Sequence, residues 1–155
     1  MSYIKDFFSN YVLMSAVVAW FSAQVIKVII DLFQKERPSL LKIFFSTGGM
    51  PSSHSSSVVA VCLACAIGEG LSSPYFAITL VLAGVVMIDA SGVRYETGKQ
   101  AQLLNKITRE LFQGNAEEFN LGLKELVGHT PFQVMMGAML GIVVSIAMGF
   151  AMGVI

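Results

Sequence analysis

Charge is what this sequence has least of. Asp, Glu, Lys and Arg make up 13% of its 155 residues, with ten basic and ten acidic side chains giving a formal net charge of zero. Soluble domains carry roughly 25%. The balance excludes the strongly basic surface that a nucleic-acid partner requires. Cysteine is equally sparse, with Cys62 and Cys65 three apart in an apolar run. A redox or metal role needs a polar, accessible setting, so both read as small buried apolar residues. Few carboxylates are suitably placed to serve a cation, Asp89 being the candidate within a span, and neither a metal nor another cofactor is expected. Lys5 beside Asp6 and the want of a small-residue cleavage site predict no removable signal peptide, leaving the first apolar segment in the membrane. Histidine occurs twice, as His54 and His129, so their surroundings are informative.

Apolar residues are abundant, at 55% of the chain with a mean hydropathy of +0.71. This composition predicts an all-α integral membrane helical bundle, a single membrane domain over residues 1–155. Four spans follow from hydropathy, at about 11–33, 52–68, 75–93 and 132–153. The polar connection 95–128 separates the last two. Within it Leu104, Ile107 and Leu111 recur on one face among Lys106, Arg109 and Glu110, which predicts an amphipathic helix on the membrane surface or over a site. Gly114 to Asn120 interrupts that helix, Leu121 to Val127 forms another short turn, and Gly128 stops it.

Lys35, Arg37 and Lys42 lie in the first connection, and Lys99, Lys106, Arg109 and Lys124 in the third, with Arg94 at its edge. The second connection and the C-terminus carry no basic residue. The positive-inside rule therefore puts the first and third connections in the cytoplasm and both termini outside.

Two stretches concentrate the chemistry. Gly48-Gly49-Met50-Pro51-Ser52-Ser53-His54-Ser55 stands directly before the second span. Glycines allow close backbone approach, proline suits a first helical turn, and the free N–H groups of a helix start attract an anion. Gly128-His129-Thr130-Pro131-Phe132-Gln133 stands before the last span, with Thr130 as N-cap, Pro131 in the first position and Gln133 completing a capping box. The predicted topology brings both starts and Arg94 to one membrane face. Lys27 falls with Gln24 and Asp31 on one face of the first span; it pairs with Asp31, snorkels to the interface, or reaches a ligand. Two histidines beside a bound phosphate allow one imidazole to attack phosphorus while the other protonates the leaving oxygen.

Pro51-Ser52-Ser53-His54 resembles the second motif of the type 2 phosphatidic acid phosphatase and vanadium haloperoxidase superfamily, and Gly128-His129-Thr130-Pro131 resembles the end of its third. With the run Asp89 to Arg94 and Gly98-Lys99-Gln100-Ala101, most of the chain is similar to a small divergent branch found in bacteria and plants. The resemblance implies His129 as nucleophile, His54 as general acid, and Ser52 and Ser53 as phosphate ligands. It implies a lipid phosphate or another membrane phosphate ester as substrate. Gln133 stands where the superfamily has the aspartate that orients the nucleophile, and Leu123 stands where it has an arginine, which Arg94 is expected to replace. Lys27 and Arg37 are the nearest counterparts of the first-motif cations, at a wider spacing, and Asp89 is a further orienting residue. The superfamily core has six membrane helices against four here, so either the smaller core suffices or small-residue helix faces assemble a homo-oligomer. The alternative to a phosphatase is a non-catalytic membrane protein that binds or transports an anionic lipid or phosphate. A third reading is an assembly subunit that keeps only the shell of an enzyme.

Overall fold

The structure is a computed structural model that describes residues 2–33, 49–111 and 128–155. These residues form helices and turns, with no strand among them. A short helix α1 (Ser2–Phe8) leads into α2 (Tyr11–Phe33), whose start is capped by Asn10, Oδ1 accepting from Leu13 N at 3.0 Å. Then come α3 (Ser53–Glu69), α4 (Pro74–Ser91), α5 (Val93–Leu111) and α6 (Pro131–Ala151). Each later span begins as its sequence dictates. Ser52, Ser73 and Thr130 are N-caps, and Pro74 and Pro131 open α4 and α6. Gly70, at φ 86°, ends α3 in a conformation that side chains disfavour.

Helices α2, α4 and α6 are long and apolar enough to cross a membrane, and α3, at 17 residues, is shorter. It reaches about 26 Å against a ~30 Å hydrocarbon core. The reason lies at its start. Ser53 is hydrogen-bonded to Lys27, six residues before α2 ends at Phe33, so α3 begins roughly 9 Å below the end of α2.

The bundle is held by small residues repeating every four positions. Tyr11, Ser15, Ala19, Ala23 and Lys27 form the buried stripe of α2; Ser52, Ser56, Ala60 and Ala64 continue it on α3 and its cap. Gly137, Gly141, Ser145 and Gly149 complete it on α6. Such stripes let backbones meet where lipid supplies no hydrophobic drive. A Cβ built at Gly137 would lie 2.4 Å from the Ser52 carbonyl oxygen, and one at Gly141 2.4 Å from that of Ser56. Ala19, Ala60 and Val144 form the apolar centre. Ser56 Oγ donates to Ala19 O at 3.1 Å, and Tyr11 OH donates to Ser145 O at 2.9 Å.

Helix α4 packs mainly on α3 and leaves Ile78, Val81, Val85 and Ile88 exposed for lipid. Helix α5 follows after the single residue Gly92 and presents Leu103, Leu104 and Ile107 outward. Arg37, Leu123 and the segments Gly114 to Asn120 and Leu121 to Val127 lie outside the described residues.

Candidate functional site

The two glycine-proline helix starts meet. Ser52 N donates to the carbonyl of Gln133 at 3.1 Å, joining the cap of α3 to the first turn of α6. Ser52 is fully buried, and its hydroxyl accepts from Ser55 N at 3.3 Å and from Ser55 Oγ at 3.0 Å. It is thus spent largely on holding the helix start. Ser53 is differently placed: its Oγ accepts from Lys27 Nζ at 3.4 Å. Lys27 is 5% exposed, with its ammonium turned inward to Ser53 and with Asp31 in electrostatic range, so it does not snorkel to the membrane surface. Gly49 has φ 85°, and a Cβ there would touch the Lys27 stem at 3.8 Å. The loop thus lies along the lysine.

His129 is 3% exposed and precedes α6. Its backbone N donates to Ala90 O at 3.1 Å. Its Nδ1 is 3.4 Å from Gln133 Oε1, the oxygen that also accepts from Thr130 N at 3.0 Å; Gln133 N returns a bond to Thr130 Oγ1 at 3.3 Å. One glutamine therefore closes the capping box and faces the imidazole. Burial holds the His129 pKa below its ordinary value, and the positive charge of Lys27 pushes the same way. The hydrogen bond to Gln133 opposes this, His54 adds to it, and a hydrogen bond with the Gly49 backbone opposes it, leaving the net direction downward. The ring is accordingly biased toward its neutral form.

His54 is exposed on the first turn of α3 and within electrostatic range of Arg94, Lys27, Asp89 and His129. Arg94 reaches Asp89 through Nε to Oδ2 in an exposed pair, five residues apart across the α4–α5 junction. Lys27 and Ser53 thus meet, Ser52 ties them to Gln133 and hence to His129, and His54 lies in electrostatic range of this group and of the Arg94–Asp89 pair. One contributor carries no sequence signal of its own, the Ala90 carbonyl, while Ser55 and Gly128 stand in the two motifs with no contact assigned to them by the sequence. A Cβ at Gly128 would lie 2.2 Å from Tyr95 N, so this glycine lets the His129 segment lie against the start of α5. A Gly directly before a histidine was the available hint, although it reads equally as a helix stop.

A cluster of donors with a neutral imidazole suits a tetrahedral anion, which Lys27 and the α3 start can neutralise. Comparison with known proteins agrees with the architecture. The pattern of the divergent PAP2 family matches residues 8–144. The chain is 37% identical over 155 residues to YuiD, an uncharacterized membrane protein of Bacillus subtilis (strain 168), covering 94% of this chain and 98% of the relative. No solved structure matches.

Proposed function

Because the chain belongs to the divergent PAP2 family, we propose that it is an integral membrane phosphatase hydrolysing a lipid phosphate or related phosphomonoester at this cluster. The observation that carries the reading is the meeting of the two helix starts, with His129, His54, Lys27 and Ser53 around one place. In the tautomer whose Nδ1–H donates to Gln133 Oε1, the neutral ring of His129 carries its lone pair on Nε2. Nε2 attacks phosphorus; the N–P bond forms as the ester P–O bond breaks. His54, entering protonated, gives its proton to the departing alkoxide, then takes one from the water that cleaves the phosphohistidine. Phosphate leaves and both imidazoles return to their starting forms. Lys27, Ser53 and the N–H groups of the first α3 turn stabilise the charge on the equatorial oxygens. Arg94, turning from Asp89, and Arg37 are further cations for the phosphate. The basic connections support a cytoplasmic placement of this face with the termini outside.

Purified protein in chelator is expected to release phosphate from a lipid monophosphate, with turnover abolished in His129→Ala and in His54→Ala. Activity surviving both substitutions overturns the mechanism. One observation favours a second reading, a non-catalytic binder of phosphate or an anionic lipid: Gln133 shares its oxygen with the Thr130 cap and brings no negative charge to the histidine. That reading predicts phosphate-dependent thermal stabilisation without turnover.

A further inference from the structure

A groove of about 250 Å³ runs down the outside of the bundle between α2 and α6. Ile26 and Ile30 form one wall, Met139 and Val143 the other, and Met50 and Pro51 close its upper end. We propose that this groove seats one acyl chain of the lipid whose phosphate occupies the site above, so that substrate enters sideways from the bilayer between α2 and α6. The inference rests on the phosphate reading of that site.

Three features carry it. The walls offer no polar side chain, so a headgroup or soluble ligand would lose its hydration there without recompense, whereas an alkyl chain loses none. The upper end of the groove neighbours the site: Met50 and Pro51 immediately precede Ser52 and Ser53, and Met136 precedes Gly137, whose backbone lies against the Ser52 carbonyl. A cation and donors at the head with an apolar slot beneath match a phosphate on a chain. Finally, the lip is open to lipid, with Met139 58% and Val143 63% exposed. Met50, Met136 and Met139 supply unbranched, adaptable side chains. From Met136 to Val143 the wall covers two turns, about 10 Å, so it grips the upper part of a chain and leaves the rest in the bilayer. A second apolar groove, between α3 and α4 and lined by Val59, Leu63, Phe76 and Leu80, touches none of residues 49–53 and serves as the control.

The test uses the full chain in lipid nanodiscs with a long-chain lipid phosphate carrying a diazirine in its acyl chain. Photolabel is expected on Ile26, Ile30, Met136, Met139 and Val143 and not on Ile142, which lines the control groove, and it is suppressed by excess unlabelled lipid phosphate and not by neutral diacylglycerol. Equal labelling of α4, or displacement by diacylglycerol as well, assigns the groove to bulk lipid and overturns the proposal. Met139→Trp is expected to lower kcat/KM for the lipid phosphate roughly tenfold while sparing a water-soluble aryl phosphate; Leu80→Trp is expected to change neither. Equal loss on both substrates, or no loss, also overturns it. Wild-type protein that turns over neither substrate refutes the phosphatase reading alone, because the photolabel pattern still decides the groove.

Discussion

Helices α2, α3 and α6 pack backbone against backbone, whereas α4 and α5 form an arm attached along one side. At Gly137 an added Cβ would press to 2.4 Å on the Ser52 carbonyl; at Gly84 of α4 it would meet nothing within 4 Å. The site is divided between these two regimes. Lys27, Ser53 and Gln133 belong to the tight unit, and Asp89 and Arg94 to the arm. His129 is the joint between them, since its N–H bonds the last turn of α4 while its ring faces Gln133 of α6. Lys27, Ser53 and Gln133 are therefore held by close packing of three helices, whereas Arg94 stands on α5, which packs mainly on α4.

The largest effect expected from this difference is on stability. Gly137→Leu must separate α3 from α6 at the site, and is expected to cost about 3 kcal/mol or more and to abolish phosphate binding with it. Gly84→Leu points into open space on α4, and its thermal unfolding in detergent should remain within about 1 kcal/mol of wild type. Comparable losses at both positions would remove the distinction between core and arm.

Gln133 tests the joint. Gln133→Ala removes the cap oxygen and is expected to cost about 1 kcal/mol, with a larger fall in kcat than in stability because the imidazole loses its partner. Gln133→Glu keeps an oxygen for Thr130 N and adds a negative charge beside His129, so it should raise the histidine pKa and move the acid limb of the pH–rate profile to higher pH. An unmoved limb would show that Gln133 serves the cap alone.

Titration of His129 gives a smaller effect with a definite sign. Its folded pKa lies below its unfolded value near 6.5, so between the two the unfolded chain binds more protons. Stability is thus full above about pH 6.5 and declines as pH falls toward the folded pKa, by at most about 1.4 kcal/mol per pH unit for one proton. Thermal unfolding followed from pH 7.5 to 5 should show this decline in wild type and a flatter profile in His129→Gln. Identical profiles would place the pH sensitivity elsewhere.

Much of this was legible in the sequence because it is local. The span starts are written in Ser52, Ser73-Pro74 and Thr130-Pro131-Phe132-Gln133, and the capping box predicted from four residues is the one observed. The small residues of the last span are legible as a close-packing face, while the matching stripes on α2 and α3 are seen only in the fold. What escaped is set by contacts between distant backbones. Gly128 reads as a helix stop and acts as the place where Tyr95 comes close; the Ala90 carbonyl that fixes His129 has no side-chain signature. The roles of Ser52 and Ser53 are equal in the motif and differ in the fold, because α2 brings Lys27 to only one of them.

Arg94 offers the smallest and most discriminating test. The sequence leads one to expect it at the phosphate, and the structure has it paired with Asp89, Arg94 exposed and Asp89 partly so, both within range of His54. An exposed ion pair contributes little, about 0–1 kcal/mol, so Asp89→Asn should barely change thermal stability. Its effect on binding depends on which partner the guanidinium prefers. In wild type a bound phosphate must compete with the carboxylate for Arg94; in Asp89→Asn that competitor is neutral and the guanidinium is free to turn. Phosphate or vanadate affinity is therefore expected to rise a few-fold, roughly 0.5–1 kcal/mol, and Arg94→Gln should erase the gain while leaving the residual binding to Lys27 and Ser53. If Asp89→Asn weakens binding instead, the carboxylate is positioning Arg94 or His54 rather than restraining the arginine, and the arm is as preset as the core. If neither substitution moves the affinity, the phosphate is held wholly by the tight unit.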